Sequence, residues 1–284
     1  MLSRRILLTI CLLSALNSGC AKSVDSNNNE NNITQQQSNS DDLDVNDIRS
    51  KAEKGDSESQ YNMGVIYTDG YGDIQPNINE AIKWYLSSAK QGNVNAQYNL
   101  GFLYSSNPNI KHDYEKAKFW YEKAANQGDI PSLNELGNIF SQGLGVQKDF
   151  NKAIEYYSIA ANAGDPNAQA NMGTMLLNGR GIKQNKLQAF EWYIKAAQQD
   201  EITAQYNLAL MYLTGDPIKQ NYIEAQKWFL KAANQGDSGA QYHLGKIYKD
   251  GLGVDKNLSI SRTWFEKSAE AGNSLAAEEL TQLN

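Results

Sequence analysis

Apolar residues in this chain recur in short runs with the spacing of one helix face. Ala240, Leu244, Ile247 and Tyr248 predict an amphipathic helix over residues 237 to about 250, here called A. Ala153, Tyr156, Tyr157, Ala160 and Ala161, at offsets 0, 3, 4, 7 and 8, predict a second kind, B, ending at Gly164. The starts of the A helices are marked. Asp56, Asn93, Asp129, Asp165 and Asp237 each follow a glycine and offer a side-chain acceptor to the unpaired N–H groups of a first turn. Their ends are marked by Gly70 and Gly72, Gly143 and Gly145, Gly179 and Gly181, and Gly251 and Gly253, where the lack of a side chain permits the positive φ of a chain reversal.

The two helix kinds alternate with a fixed period. Trp84-Tyr85, Trp120-Tyr121, Tyr156-Tyr157, Trp192-Tyr193, Trp228-Phe229 and Trp264-Phe265 are each 36 residues apart. Gly64, Gly101, Gly137, Gly173, Ala209 and Gly245 form a second ladder, with one step of 37 and then steps of 36. The extra residue falls between Gly72 and Trp84, in the first inter-helix loop, where an insertion is tolerated. The aromatic offsets match those of the helix-B alanines, so the ladder is expected to be core, and Trp192→Ala is expected to cost roughly 3–5 kcal/mol.

Ala96-Gln97-Tyr98-Asn99-Leu100-Gly101, Gly251-Leu252-Gly253-Val254 and Trp120-Tyr121-Glu122-Lys123-Ala124-Ala125-Asn126-Gln127-Gly128 resemble the Sel1-like repeat. The resemblance implies an all-α fold: an α/α solenoid, a right-handed superhelix of helix-turn-helix repeats whose concave wall is lined mainly by the A helices. Six units cover residues 56–272, with capping helices over 45–55 and 273–284. The related tetratricopeptide repeat has a period of 34 and lacks the glycine turn. The chain departs from the pattern at Asn107-Pro108-Asn109, at Gly215-Asp216-Pro217, and at Asp200, which stands where other units have Gly164 and Gly236; local changes of curvature are expected there.

The N-terminus carries an export signal. Arg4 and Arg5 precede an apolar stretch over residues 6–16 that is short for a membrane span, so residues 1–20 read as a signal peptide. Leu16-Asn17-Ser18-Gly19-Cys20 resembles a bacterial lipobox with Cys20 as the lipidated residue, although Asn17 stands where the pattern has an aliphatic side chain. Cleavage after Ala21 is the alternative, because Gly19 and Ala21 satisfy the small-x-small rule and would leave a soluble protein. Either route leads to the periplasm or outer membrane, and a lipid on Cys20 would be the chain's one tie to a membrane. Residues 21–44, rich in Asn, Gln and Ser, lack the apolar content to offset ordering entropy and read as a flexible tether.

Composition narrows the function classes. A net charge of -6 repels nucleic-acid phosphates and anionic lipid, leaving a protein or peptide as the expected partner. The two cysteines, Cys11 and Cys20, both precede the repeats, so the folded body has no thiol for a disulfide, a metal or nucleophilic attack. His112 and His243 stand about three and a half repeats apart, with no nucleophile-base-orienter set beside either. The glycine pairs follow a helix and recur in the repeats, which fits turns and not phosphate loops. No cofactor or metal is expected.

Binding residues are therefore sought where the repeat varies on helix A. One residue after the glycine ladder stand Val65, Phe102, Asn138, Thr174, Leu210 and Lys246; four after it stand Thr68, Ser105, Ser141, Leu177, Leu213 and Lys249. Phe102, Leu210 and Leu213 are candidate anchors, with packing against a neighbouring helix as the other reading. Asn62, Asn99, Asn171 and Asn207 form a row similar to the peptide-backbone clamp of tetratricopeptide proteins, or cap the superhelix structurally. The expected function is a non-enzymatic extracytoplasmic scaffold that binds a protein or peptide, with immunity against a secreted toxic effector as its sharper form. The alternatives are a surface adhesin for host protein and a cell-wall enzyme hydrolysing β-lactams or peptidoglycan peptides. For the enzyme, the one Ser-x-x-Lys match, Ser87 to Lys90, lacks its companion motifs.

Overall fold

The computed structural model describes residues 44–283, all within one compact unit. The signal segment, Cys20 and nearly all of the expected tether lie outside the described residues. Those described form fourteen α-helices and no β-strand. Helix α1 (Val45–Glu53) opens the array. The A helices are α2 (Ser57–Asp69), α4 (Val94–Ser106), α6 (Ile130–Gln142), α8 (Pro166–Asn178), α10 (Ile202–Thr214), α12 (Ser238–Asp250) and the closing α14 (Ser274–Gln282). The B helices between them are α3 (Ile78–Lys90), α5 (Tyr114–Ala125), α7 (Phe150–Asn162), α9 (Lys186–Ala197), α11 (Tyr222–Asn234) and α13 (Leu258–Glu270). Each helix packs on its sequence neighbours, and A helices of consecutive repeats also touch, which makes an α/α solenoid.

The helix boundaries follow local chemistry. Asp56, Asn93, Asp129, Asp165 and Asp237 each accept a first-turn N–H, as at Ser59 N to Asp56 Oδ1, 2.7 Å. In the fifth unit Glu201 takes that place, accepting from Thr203 and Ala204. Gly143, Gly179, Gly215 and Gly251 close their A helices in the left-handed region, with φ between 65° and 76°.

Two of the expected departures keep the positive-φ backbone of the other units, although the fifth unit also has a cis Asp216–Pro217 bond. Gly215 keeps the usual cap at φ 74°, and Asp200 adopts φ 62° where Gly164 and Gly236 have 99° and 95°. A short acidic side chain tolerates the left-handed region, and here its Oδ1 also accepts from Gln205 Nε2 at 3.1 Å. Among the described helices only that of Asn107 ends extended, without a glycine.

The two ladders are halves of one contact. A Cβ on Gly64, Gly101, Gly137, Gly173 or Gly245 would lie 2.4–2.8 Å from a ring carbon of Tyr85, Tyr121, Tyr157, Tyr193 or Phe265 in the next B helix. In five of the six units the glycine therefore admits the second ring of the aromatic pair, and that ring is almost wholly buried in all six, Phe229 of the Ala209 unit included. The first ring is shallower. Trp84, Trp120, Tyr156, Trp192 and Trp264 are half-buried, and Trp228 retains 8% exposure. The expectation that Trp192 is a buried core aromatic is thus corrected in depth: it packs half-buried against the core, and the fully buried place belongs to Tyr193, which the glycine faces.

A ligament of paired glutamines also joins successive repeats. Gln60, Gln97, Gln169, Gln205 and Gln241 are buried in A helices and donate to the carbonyl eight residues earlier at 3.1–3.3 Å. Four of them accept at Oε1 from the glutamine that follows the next B helix: Gln91, Gln127, Gln199 or Gln235, at 2.7–2.9 Å. The third unit lacks both partners, with Leu133 and Ala163 instead. The sixth keeps Gln241 but has Ala271, and Gln241 Oε1 is buried without a partner.

The A-helix wall as candidate binding site

The varied positions lie along successive A helices, and their polarity is partly dictated from below. Where the buried ring is a tyrosine, its hydroxyl meets a hydroxyl of the A helix in front. The pairs are Tyr85 with Thr68 (3.2 Å), Tyr121 with Ser105 (3.2 Å), Tyr157 with Ser141 (3.0 Å) and Tyr193 with Thr174 (3.0 Å). Where the ring is Phe229 or Phe265, no hydroxyl needs a partner, and the rows carry Leu210 and Leu213 or Lys246 and Lys249. Burial pushes the Tyr157 phenol up to about 12, with the Ser141 bond opposing and the Glu135 charge adding to the rise; burial does the same for Tyr193, again to about 12.

The candidate residues separate accordingly. Asn99 meets the hydroxyls of Tyr61 and Tyr85, in the preceding unit. Asn138 accepts from the Tyr157 hydroxyl at 2.7 Å and donates to Glu135 Oε2 at 3.0 Å. Asn171 donates to Asn134 Oδ1 at 2.9 Å and reaches Asn138 Oδ1 at 3.4 Å. Asn207 donates to the Thr203 carbonyl in its own helix. Lys246 pairs with Glu279 at 3.6 Å, beside Lys249 at 2.5 Å. Thr174 is held by Tyr193, and Leu210 and Leu213 pack, half-buried, against the core of units four to six. Asn62 is half-buried at the first unit. Phe102 is the anchor candidate that the fold leaves open, at 37% exposure.

The centre of the wall breaks the pattern of its ends. Three residues before the ladder, Tyr61, Tyr98, Tyr206 and Tyr242 lean on the buried rings at centroid distances of 5.7–5.9 Å, but units three and four have Asn134 and Ala170. Glu135 interrupts the asparagine row at the same place and accepts from Asn134 (3.2 Å) and Asn138 (3.0 Å). Neither Asn134 nor Glu135 is among the positions that repeat variation singles out, although a carboxylate in an asparagine row is a visible signal.

The histidines do not meet in one site. His112 contacts the Tyr114 hydroxyl at 3.2 Å, while His243 stacks on Phe229 at 4.9 Å and 13°. Burial and the Lys246 charge lower the His243 pKa, with Asp237 opposing. Among the described residues no three His, Cys, Asp or Glu side chains gather as metal ligands, and no helix is long and apolar enough to cross a membrane. A cavity of about 800 Å³ beside α5 and α7 is lined by Lys118, Glu122, Lys148, Lys152 and the stacked rings of Phe140 and Tyr156. It mixes both charges without a nucleophile set against a base.

Comparison with known proteins follows the same repeat boundaries. The family model of the Sel1 repeat matches residues 57–93, 94–129, 130–165, 166–201, 202–237 and 238–273. Among solved structures, the chain is 32% identical to a protective antigen present in uropathogenic Escherichia coli strains, with a TM-score of 0.75 over 84% of this chain and 51% of that one. The chain thus matches about half of that antigen's length. A Sel1 repeat protein from Oxalobacter formigenes is also 32% identical, with a TM-score of 0.77 over 84% of this chain and 68% of that one. An immunity protein from Pseudomonas aeruginosa shares the fold at 18% identity, with a TM-score of 0.52 over 76% of this chain and 81% of that one. No curated protein matches the chain by sequence.

Proposed function

The chain belongs to the Sel1 repeat family, a protein-interaction fold, and from that premise we propose that it is a non-enzymatic scaffold that works outside the cytoplasm. It binds a protein or extended peptide through the A-helix wall. The observation that carries this reading is Phe102, a large apolar side chain left 37% exposed on a wall whose other rows are largely engaged in holding the solenoid together. Export rests on the basic-apolar start of the sequence and on the lipobox-like residues before Cys20.

Immunity against a secreted toxic effector is the sharper form of the proposal. The fold shared with an immunity protein of Pseudomonas aeruginosa suits it, as does the net negative charge of the chain. The test is affinity purification from periplasmic extract with the full chain and with Phe102→Ala. A partner retained by the first and depleted at least tenfold with the second supports the scaffold reading; equal recovery by both refutes the role of this wall. Repeated recovery of envelope-assembly factors and no toxin would sink the immunity form. Radiolabelled palmitate on the wild type and not on Cys20→Ser would establish the anchor, and label on both or neither would reject it.

A further inference from the structure

A carboxylate in the row of Glu135 occurs twice in the array, and the chain itself shows what such a group is built to hold. Glu279 occupies the same register four repeats further on. There it receives two ammonium groups from the preceding A helix, Lys249 Nζ at 2.5 Å and Lys246 Nζ at 3.6 Å. The positions that supply them stand one and four residues after the glycine ladder. In front of Glu135 those same positions are Phe102 and Ser105. Among the described residues Glu135 forms no ion pair with a lysine, arginine or histidine; its hydrogen bonds come from the neutral amides of Asn134 and Asn138.

Its surroundings suit a visiting cation. The Glu135 carboxylate is half-buried and its charge reaches the phenols of both Tyr121 and Tyr157, which places it between the B helices of two units. Asn138 and Asn134 are each tied down in turn, by Tyr157 at 2.7 Å and Asn171 at 2.9 Å, so the amides that orient the carboxylate are themselves fixed. Phe102, on the adjacent A helix, offers an open apolar face in place of a lysine stem. A half-buried carboxylate fixed in this way and lacking a cation gains most from a charge-assisted bond with a partner.

We propose that Glu135 and Phe102 form a subsite for a lysine side chain of a bound peptide, its stem lying on Phe102 and its ammonium at Glu135, supplying from outside the ion pair that Lys246, Lys249 and Glu279 make within the chain. The inference rests on the scaffold reading above and names one chemical feature of the partner. Seven A helices in the same register, six in repeat units and one closing the array, make Glu279 the internal reference for the contact.

The test uses the full chain and a panel of fluorescent 12-residue peptides with leucines flanking a central lysine, acetyl-lysine or glutamate. Polarisation should show the lysine peptides binding at least tenfold tighter than the acetyl-lysine peptides at low salt. Glu135→Gln should reduce that ratio to near one, and Glu135→Lys should reverse it in favour of glutamate. The variant Phe102→Lys, which keeps the Ser105 partner of the buried Tyr121 hydroxyl, should fold, satisfy Glu135 from within as Lys246 does Glu279, and lose the peptides. Equal binding of lysine and acetyl-lysine peptides, or a lysine preference that survives Glu135→Gln, overturns the subsite and leaves the scaffold reading standing. Failure of every peptide to bind also overturns it; the scaffold reading then stands or falls on the separate Phe102→Ala purification.

Discussion

Ala271→Gln should stabilise the C-terminal end of the array. Gln241 is buried, donates to the Ala233 carbonyl at 3.2 Å, and leaves its Oε1 without a donor. In four earlier units that atom accepts from a glutamine 30 or 31 residues later. Ala271 sits at φ -79° and ψ 8°, close to Gln235 at -88° and 1° and Gln91 at -85° and 1°, so the new side chain starts from a compatible backbone. Supplying a donor to a buried acceptor removes a desolvation cost of about 1–3 kcal/mol. Ordering a glutamine side chain offsets up to about 2 kcal/mol of this. The expected net gain is about 0.5–1.5 kcal/mol, or roughly 1–6 °C in thermal midpoint for a chain of this size.

Differential scanning calorimetry reads the global effect, and amide exchange over α12, α13 and α14 reads the local one. The control is Gln241→Leu, which copies the Leu133 and Ala163 arrangement of the third unit and removes the acceptor. Ala271→Gln should give no gain in that background. An unchanged or lower midpoint for Ala271→Gln alone, or the same gain with Leu at 241, would refute the ligament argument.

Tyr193→Ala should cost about 3–5 kcal/mol by chemical denaturation, and the half-buried Trp192→Ala clearly less; the reverse order would contradict the assignment of depth. Gly137→Ala should destabilise by about 1–3 kcal/mol, because its methyl would lie 2.5 Å from the Tyr157 ring. A midpoint equal to the wild type would show that the ring moves freely. Lys249 holds the Glu279 carboxyl below its ordinary pKa, so this pair's contribution is full above that ordinary value and lost as pH falls through the lowered one. Glu279→Gln should flatten that acidic limb of the stability curve, by no more than about 1 kcal/mol for so accessible a lysine partner. For His243 the lowered pKa means the folded state favours the neutral ring, so stability is full above the ordinary histidine pKa and falls as pH drops below it. His243→Asn, which restores the residue type of the row, should remove that dependence, and an unaltered pH profile would exclude it.

The period, the helix kinds, the N-caps and the glycine turns were legible in the sequence because each depends on one residue type at a fixed offset, which local backbone chemistry reads directly. The glutamine ligament was legible in principle too, as Gln60 with Gln91 and its three echoes, but its meaning depends on contacts between segments about 30 residues apart. Tertiary structure alone decided which ring of each aromatic pair is buried. Helical periodicity gives Trp192 and Tyr193 similar places on an apolar face; only the opposing Gly173, with room for a ring and none for a Cβ, separates them. The same holds on the A-helix wall. Sequence marked Asn138, Thr174 and Lys246 as variable, yet the following B helix of the same repeat ties the first two to buried tyrosine hydroxyls, and the closing A helix ties the third to Glu279. What remains open at Phe102 and Glu135 is defined by partners those residues lack. A missing partner is a property of three-dimensional neighbours, which a one-dimensional pattern does not contain.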